Sequence, residues 1–414
     1  MQATEVFTPR GEPNVTYVGD HLIDKAKRLR QDLSAGPCVV SLSGPSKSGK
    51  TVFIEKTLGR GNLVKVHGAG VRSAQDLWLK VLDLIGTPTK SVETIEKSSS
   101  STRQGKVRLG ISLIAGEASD LSASGSRQTQ ASERATDYFA LLVREIHKTN
   151  LIVFIDDFHY IDRAAQNEIA KQIKEGIEGG VQFVCVSVPY RSDDVLLANS
   201  DLRGRAYKVD FEYWKTSDLV KIGQSGFSAL NLSISPQMID ALASEAAGSP
   251  QLMQTLCLNL CFELDCTVRF TNPESIAWDR NMFKKVCVDA IASLDYSSTV
   301  DAMKLGPKTR GRDRKSYTVK GTSEVVDVYP LILRAIAYDP PTLTMRSNDI
   351  TSRIQQLCAS ESPGTSSILP SCSHIVQIAN ESQSSQVIEW DPERDLLEIR
   401  DPYLLFFLRW GRWK

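Results

Sequence analysis

The sequence predicts an α/β fold, with a parallel β-sheet in the first half of the chain and mostly helices in the second half. In the first half, short apolar runs that suit buried strands alternate with helical periodicity, as at residues 38–42, 51–58, 62–67 and 74–85. Such alternation is typical of a parallel sheet whose strands are joined by helices and covered on both faces. From residues 214 to 294 the apolar residues recur every three or four positions, which indicates helices alone.

The alternation of strands and helices continues to residue 188 and is interrupted once. Helical and strand-like segments follow in turn at residues 136–147, 151–155, 166–176 and 181–188. Residues 90–133, in contrast, are rich in Ser, Thr, Gly and Gln, a composition that cannot build a core of its own. We interpret them as an insertion that forms a flexible hairpin on the surface of the domain.

The second half is predicted to contain a helical lid and a winged-helix domain. Helices are predicted at residues 217–229, 235–246, 250–264 and 275–294. After a basic stretch, two further helices precede strand-like segments at residues 373–378, 387–390 and 396–400. Helices followed by a β-ribbon suggest a winged helix. The predicted parts are a core at 1–213, a lid at 214–300, a basic linker at 301–324 and a winged-helix domain at 325–414.

Length and composition are those of a soluble protein with more than one domain. A chain of 414 residues is too long for one typical core, so two or three domains are expected. Lys and Arg together equal Asp and Glu together at 49 each, so any nucleic-acid surface must be a local patch. No apolar run is long enough to span a bilayer. Residues 1–14 lack the pattern of a signal peptide, and a cytoplasmic location is predicted.

The eight cysteines are predicted to be buried free thiols. Two of them lie in strand-like runs, and two others are four residues apart on one face of a predicted helix. A structural zinc site would need tight pairs with further ligands, and the sequence offers none. Buried thiols in a reducing cytosol are the expected alternative. The positions are Cys38, Cys185, Cys257, Cys261, Cys266, Cys287, Cys358 and Cys372.

A glycine-rich octapeptide between the first strand and the next helix matches the phosphate-loop pattern G-x-x-x-x-G-K-[ST] in full. The backbone N–H groups of such a loop wrap a phosphate, and the helix N-terminus adds positive potential. Lys50 is expected to neutralise the β- and γ-phosphates, and the Thr51 hydroxyl to ligate Mg²⁺. The motif therefore predicts an ATP site of the P-loop type. Its residues are Gly44, Pro45, Ser46, Lys47, Ser48, Gly49, Lys50 and Thr51.

A second motif, the apolar strand at residues 151–155 followed by Asp156 and Asp157, is typical of a Walker B element. We expect Asp156 to hold Mg²⁺, partly through water, and Asp157 to polarise the attacking water as general base. Two adjacent carboxylates can divide these roles, because the metal keeps the first one ionised. His159 follows closely, and packing or capping is its expected role.

Arginines further along the chain are candidates for contact with the γ-phosphate. The strand at 181–188 should lie beside the Walker B strand, and either Ser187 or Arg191 at its end would sense the phosphate. We favour Arg191, because a guanidinium binds phosphate oxygens in a bidentate manner. Arg203 or Arg205 is a candidate arginine finger, acting within the chain or on a neighbouring subunit. The alternatives are an exposed loop arginine and a surface salt bridge.

These motifs, in this order, resemble the AAA+/STAND division of P-loop ATPases, and in particular the archaeal-type replication-initiator-like ATPases and their bacterial relatives. Residues 7–10 and 17–20 resemble the segment in which a Gly-Arg pair helps to seat adenine, although Asp20 stands where Arg is usual. Residues 248–251 resemble the Gly-x-Pro signature that opens a lid helix. Some relatives carry a phosphate-sensing Arg just after it, where this chain has Gln251 and Leu252.

The resemblance covers nearly the whole chain, and residues 401–410 resemble the closing segment of the family's winged helix. It implies an ATPase core, a helical lid and a winged helix, with ATP and Mg²⁺ as cofactors. It also implies nucleotide-driven assembly of a homo-oligomer or conformational switching. Bacterial relatives of this type often belong to antiphage-defence or mobile-element operons. Because the chain has no obvious effector domain, a separately encoded effector protein is a further expectation.

Two more segments have open interpretations. The basic stretch before the last domain is either a strip that follows the phosphates of DNA or RNA, or a solvated linker. Its candidate nucleic-acid residues are Lys308, Arg310, Arg312, Arg314 and Lys315. The apolar and basic tail at residues 406–414 is too short to span a membrane. Docking of Phe406, Leu408 and Trp410 onto the winged helix or lid is favoured over a membrane or partner anchor.

Two functions are therefore considered for the whole chain. In the first, ATP bound between core and lid closes the lid and repositions the winged helix, and hydrolysis resets the switch. The output is oligomerisation, or engagement of a partner or nucleic acid. In the second, the chain is an ATP-sensing DNA-binding regulator with little turnover. A small-molecule kinase would also use a P-loop, but the long lid and winged-helix region argue against it.

Overall fold

The computed structural model describes residues 1–88, 137–187, 195, 202, 204–292, 294–308, 311, 313–383 and 386–413. The predicted insertion at residues 90–133 lies outside these ranges, as do four candidate site residues, Arg191, Arg203, Arg310 and Arg312.

A five-stranded parallel sheet forms the centre of the N-terminal half. Its strands are β1 (Val39–Ser43), β2 (Leu63–His67), β3 (Ile152–Asp156), β4 (Gln182–Ser187) and β5 (Ala206–Asp210). They are hydrogen-bonded in the order β2-β3-β4-β1-β5. Successive side chains point to opposite faces, so Val153 and Ile155 join the core on one face and Ile152 and Phe154 join the core on the other. The predicted parallel α/β core is confirmed.

Helices cover both faces of this sheet, as its apolar strands require. Trp78, Phe139 and Ile169 bring α4, α5 and α6 onto one face, while Leu29 and Phe53 bring α2 and α3 onto the other. The bounds are α1 (Ala3–Val6), α2 (Ile23–Ala35), α3 (Lys50–Leu58), α4 (Ala74–Leu84), α5 (Tyr138–Ile146) and α6 (Arg163–Glu178).

Four helices and a pair of short parallel strands follow the sheet domain. They are α7 (Thr216–Ala229), β6 (Leu232–Ile234), α8 (Pro236–Glu245), α9 (Pro250–Glu263), β7 (Glu274–Ile276) and α10 (Arg280–Ile291). The helix predicted at residues 275–294 was too long, because its first residues pair with β6. Helix α10 begins only after Asp279, whose carboxylate accepts hydrogen bonds from the backbone N–H groups of Asn281 (2.7 Å) and Met282 (3.1 Å).

The C-terminal region contains five helices and two antiparallel sheets. Its elements are α11 (Ser297–Leu305), β8 (Tyr317–Thr318), β9 (Val325–Val326), α12 (Val328–Ile336), β10 (Thr344–Arg346), α13 (Ser347–Leu357), α14 (Thr365–Glu381), β11 (Ile388–Asp391), β12 (Leu396–Ile399) and α15 (Pro402–Trp410). Strands β10, β12 and β11 form one sheet in that order. The predicted boundary at residue 300 falls within α11. The predicted linker at 301–324 contains the end of α11 and all of β8.

One predicted strand in this region was wrong. Residues 373–378 lie inside α14, which buries Ile368, Cys372, Ile375 and Ala379. These four recur with spacings of four, three and four, which is the period of a helix. The β-branched residues Ile375, Val376 and Ile378 make this segment resemble a strand, and only a longer window reveals the helical face.

The helices of the predicted lid (residues 214–300) and the C-terminal region share one hydrophobic core. Phe7 of the N-terminal segment, Met238 and Leu256 of the lid, and Phe406 of α15 all belong to it. Phe406 and Leu408 are buried, so the tail docks onto the protein as predicted.

All eight cysteines are free, and seven are buried. Among the described residues, no helix combines the length and apolar character needed to cross a membrane.

Candidate functional site

The phosphate loop occupies the turn between the carboxyl end of β1 and the start of α3. Gly44 is tightly enclosed, because a Cβ there would lie 2.3 Å from the Cβ of Phe211. Gly49 caps α3 with φ of 89°, a left-handed conformation that glycine adopts without strain. The loop therefore ends at a helix N-terminus whose unpaired N–H groups suit an anion.

Lys50 is the buried cation of this loop. Its side chain is enclosed, and Nζ donates hydrogen bonds to the carbonyl oxygens of Gly44 (2.8 Å) and Pro45 (2.6 Å). Burial lowers the pKa of Lys50 to about 8, although the charges of Asp157 and Asp156 partly oppose that shift. An oxyanion next to Nζ would favour the charged form, so this position is suited to a phosphate.

Thr51 and Asp156 meet at the carboxyl edge of the sheet. The Thr51 hydroxyl donates a hydrogen bond of 2.9 Å to Oδ2 of Asp156, which is also 3.4 Å from Nζ of Lys65 on β2. A threonine hydroxyl and a carboxylate are oxygen ligands of the kind that Mg²⁺ prefers. The pair therefore fits the metal predicted from the sequence. Lys65, which also contacts Glu55 at 3.2 Å, is a neighbour that the sequence did not reveal.

Asp157 follows directly, in a left-handed conformation with φ of 57°. Burial raises the pKa of its carboxyl group, and the charge of Asp156 adds to the effect, while Lys50, His67 and Lys65 oppose it. The backbone carbonyl of Asp157 lies where a Cβ on Gly68 would stand, at 2.4 Å. Gly68 is thus required next to the Walker B turn. In the sequence, the feature that could have marked Gly68 is its position directly after the predicted strand at residues 62–67.

These groups open into a cavity of about 780 Å³, a volume in the range of small-molecule and cofactor sites. The N-terminal segment forms one wall and is fastened to lid helix α9. Nε2 of Gln251 donates to the Pro9 carbonyl (2.8 Å), and Oε1 of Gln254 accepts from the Thr8 N–H (3.1 Å). Gln251, which the family resemblance associates with a missing phosphate sensor, holds this wall in place.

The C-terminal region forms another wall of the cavity, which sequence reasoning missed. Its lining residues are Asn380, Gln383, Gln386, Arg400 and Asp401. No local motif marks these residues as part of a nucleotide site. They lie more than 300 positions from the loop, and only the fold brings them to it.

Trp214, the first residue of the predicted lid, also reaches the loop. Its indole Nε1 donates a 2.9 Å hydrogen bond to the Ser48 carbonyl, and its own N–H donates to the Gly248 carbonyl at 3.1 Å. His159 lines the cavity and packs against Tyr160, with ring centroids 4.3 Å apart. Core, lid and C-terminal region thus meet around the same loop.

Arg205 is not brought to this site. It precedes β5 and lies at the amino edge of the parallel sheet, about 16 Å along the strands from the loop at the carboxyl edge. Its guanidinium forms a 2.5 Å ion pair with Glu178, and both side chains are largely exposed. A finger role within this chain is therefore wrong for Arg205.

The described part of the predicted nucleic-acid strip is mostly engaged in other contacts. Arg314 pairs with Asp327 at 2.7 Å and lies over the Tyr329 ring at 4.4 Å. Lys315 forms an ion pair with Glu361, and Lys308 is exposed. Of these three cations, Arg314 has a structural role that its sequence context did not show.

Solved structures with the same arrangement are known, although no family model and no curated protein matches the sequence. A Walker-type ATPase of Pyrococcus abyssi aligns over 94% of this chain and 95% of its own, with 14% identity and a TM-score of 0.51. The ORC2 protein of Aeropyrum pernix, in ADPNP-ADP complexes, aligns over 98% and 96%, with 11% identity and a TM-score of 0.50. The chain has the fold of an AAA+ P-loop ATPase. At this level of identity the likeness concerns the fold alone.

Proposed function

We propose that this chain binds and hydrolyses ATP with Mg²⁺ and uses the nucleotide state to set the placement of its lid and C-terminal region. The observation that carries the proposal is a complete phosphate loop that faces two consecutive carboxylates inside a cavity walled by three parts of the chain. A chance loop would not combine a buried lysine, a hydroxyl–carboxylate pair and a second, half-buried carboxyl group at one sheet edge.

Each residue of the site has a definite task in this proposal. The loop N–H groups and Lys50 bind the phosphates, and Thr51 and Asp156 would hold the metal. When bound, Mg²⁺ supplies positive charge beside the phosphate oxygens. Asp157 orients a water molecule toward the γ-phosphate and accepts its proton. Its raised pKa makes Asp157 a stronger base than an exposed aspartate.

The output of the switch is also a proposal. The family resemblance suggests a homo-oligomer with a winged-helix domain, acting in antiphage defence or on a mobile element. A cytoplasmic location and a separately encoded effector are further parts of the proposal. The C-terminal order of α12, β10, α13, α14, β11 and β12 supports the winged-helix assignment. Deletion of the gene should change phage or plasmid susceptibility, and an unchanged susceptibility in every challenge would remove the defence role.

For an arginine contact with the γ-phosphate, the candidates divide by position. Arg191 remains the candidate within the chain, where it follows β4. Arg205 is exposed at the amino edge of the sheet, away from the phosphate loop. As an arginine finger it would therefore act on the nucleotide of a neighbouring subunit. Turnover that rises steeply with protein concentration and is lost in Arg205→Ala would support the second arrangement.

The test of hydrolysis is ATP turnover and particle size for wild type and Asp157→Asn, with and without duplex DNA. Removal of the base should lower turnover by at least about 100-fold, while ATP binding remains and a larger ATP-bound assembly accumulates. Asp162→Asn, at an exposed helix start outside the cavity, is the matched control and should turn over ATP like wild type. Equal turnover in Asp157→Asn and wild type would exclude Asp157 as the base.

The second candidate function is an ATP-sensing DNA-binding regulator, and the exposed Lys308 is the observation that favours it. Under this function, Lys308→Ala with Lys315→Ala should weaken duplex binding and flatten its salt dependence. ATP turnover would stay slow with or without DNA. Duplex binding that is unaffected by the two substitutions would exclude a basic strip at these residues.

A further inference from the structure

The C-terminal region reaches directly into the phosphate loop through one ion pair. Nζ of Lys47 lies 2.9 Å from Oδ1 and 2.8 Å from Oδ2 of Asp401, a residue 354 positions further along the chain. The same ammonium lies 4.2 Å from the centre of the Tyr403 ring. The pair is largely enclosed, since the Asp401 side chain is 13% exposed and that of Lys47 is 30% exposed.

Asp401 is held firmly by its own surroundings. The hydroxyl of Tyr296 donates a 2.6 Å hydrogen bond to Oδ2, and the backbone N–H of Tyr403 donates a 3.0 Å hydrogen bond to Oδ1. Asp401 is therefore the N-cap of α15, a helix that is buried in the core shared with the lid. Any displacement of Asp401 would therefore have to move α15 and the body to which it belongs.

Lys47 belongs to the loop that would wrap the phosphates, yet its charge is already neutralised. Entering phosphates and the Asp401 carboxylate would compete for one ammonium, since both are anions. Such coupling is reciprocal, so the phosphates and the Asp401 carboxylate each weaken the other's interaction with Lys47. Phosphates would loosen the contact, and the contact would weaken phosphate binding.

We propose that Asp401 is a positioning residue of the nucleotide site, which withholds Lys47 from the phosphates and releases it when ATP binds. The proposal rests on the proposed function, because it assigns a regulation to the same ATP site. It makes the Lys47–Asp401 pair the physical link between phosphate occupancy and the placement of the C-terminal region.

Asp401→Asn is the informative variant, because asparagine keeps the helix cap and an acceptor for Tyr296 while the charge is lost. Its dissociation constant for a fluorescent ATP analogue should fall about fivefold or more, at the low end of usual coupling between sites. The gain should be smaller for ADP, which carries less charge. Asp401→Ser, which also caps helices, serves as the second variant if Asp401→Asn unfolds.

Two comparisons separate positioning from other effects. In a Lys47→Gln background, Asp401→Asn should change the affinity much less, because no ammonium is left to withhold. Asp327→Asn is the matched control: Asp327 also caps a helix and pairs with an arginine, Arg314 at 2.7 Å, but does not line the cavity. This control should bind the analogue like wild type.

Three results would overturn the proposal. Unchanged affinity in Asp401→Asn, while Lys50→Met abolishes binding, would leave the ATP site intact and reject the role of Asp401. An equal gain with and without Lys47 would show that Asp401 acts on the nucleotide directly. Wild-type protein that binds no analogue at all would reject the proposed function and, with it, this regulation.

Discussion

Lys50 is a charged group that the fold keeps away from water before any nucleotide arrives. Its pKa falls from 10.5 to about 8 because of burial, so the folded state disfavours the protonated form. Below pH 8 both folded and unfolded chains carry this proton, and the folded chain bears the full desolvation cost. Between pH 8 and 10.5 the unfolded chain binds more protons, so stability should rise with pH through this window.

We therefore expect Lys50→Met to be more stable than wild type at pH 7 without nucleotide, by about 2 kcal/mol. Loss of the hydrogen bonds to Gly44 and Pro45 offsets part of the gain from removing a buried charge. Urea unfolding at pH 7 and pH 10 measures the difference, which should shrink at the higher pH. With ATP and Mg²⁺ the order should reverse, because only wild type gains from binding.

Lys171→Met, which changes an exposed lysine on α6, is the control for this experiment. It should leave the difference between pH 7 and pH 10 as in wild type. A Lys50→Met protein that is less stable than wild type at pH 7 would mean that the two carbonyl contacts outweigh the buried charge.

At the scale of single residues, the sequence predicted the parts of the site that short motifs encode. Lys50, Thr51 and Asp156 lie together in the structure as their motifs indicate. Asp401 could not be found in this way, because its role arises from a contact across 354 positions. Arg205 was a candidate from the sequence, but it directly precedes β5 and so lies at the amino edge of the sheet, away from the phosphate loop.

At the scale of elements, helices α8 and α15 are joined by a buried ion pair. The guanidinium of Arg409 lies 2.6 and 2.8 Å from the two carboxylate oxygens of Glu245, and both side chains are 8% exposed. Nε1 of Trp410 donates to the same carboxylate at 2.8 Å, and Arg409 also donates to the Ala337 carbonyl. Removal of one partner would leave a buried charge with its desolvation uncompensated.

Arg409→Met should therefore destabilise the protein by about 3 kcal/mol, measured by urea unfolding. In a double-mutant cycle with Glu245→Gln, the second substitution should cost much less than it does alone, because the pair is already broken. Glu178→Gln, which breaks the exposed pair with Arg205, is the control and should leave the unfolding midpoint unchanged. Additive effects in the cycle would contradict a direct coupling of Arg409 with Glu245.

Element predictions succeeded where the local pattern fitted one structure and failed where it fitted both a strand and a helix. Strand β3 is apolar from Ile152 to Ile155 and buried on both faces, so its sequence was unambiguous. The six residues at 373–378 are too few to distinguish a strand from one face of α14. Strand β7 has three residues and pairs with β6 in a two-stranded sheet, so its formation depends on a partner about 40 residues earlier in the sequence.

At the scale of the whole molecule, the packing divides the chain differently from the predicted domains. The sheet domain has its own cores on the two faces of the sheet. The N-terminal segment, lid and C-terminal region share another core, and α11 runs through the predicted lid boundary. We infer that the lid and C-terminal region respond to nucleotide together, since separating them would break the Glu245–Arg409 contact and expose a common core.

Hydrogen exchange can distinguish this joint response from an independent lid. In Asp157→Asn, ATP with Mg²⁺ should alter amide exchange in the phosphate loop and at residues 400–403, where the sheet domain meets the C-terminal region. Exchange at the end of α8 and around Arg409 should stay the same, because that interface moves as a unit. The same protein carrying Lys50→Met provides the control, and ATP should change none of these segments. Deprotection at the α8–α15 contact on ATP binding would instead show that the lid leaves the C-terminal region behind.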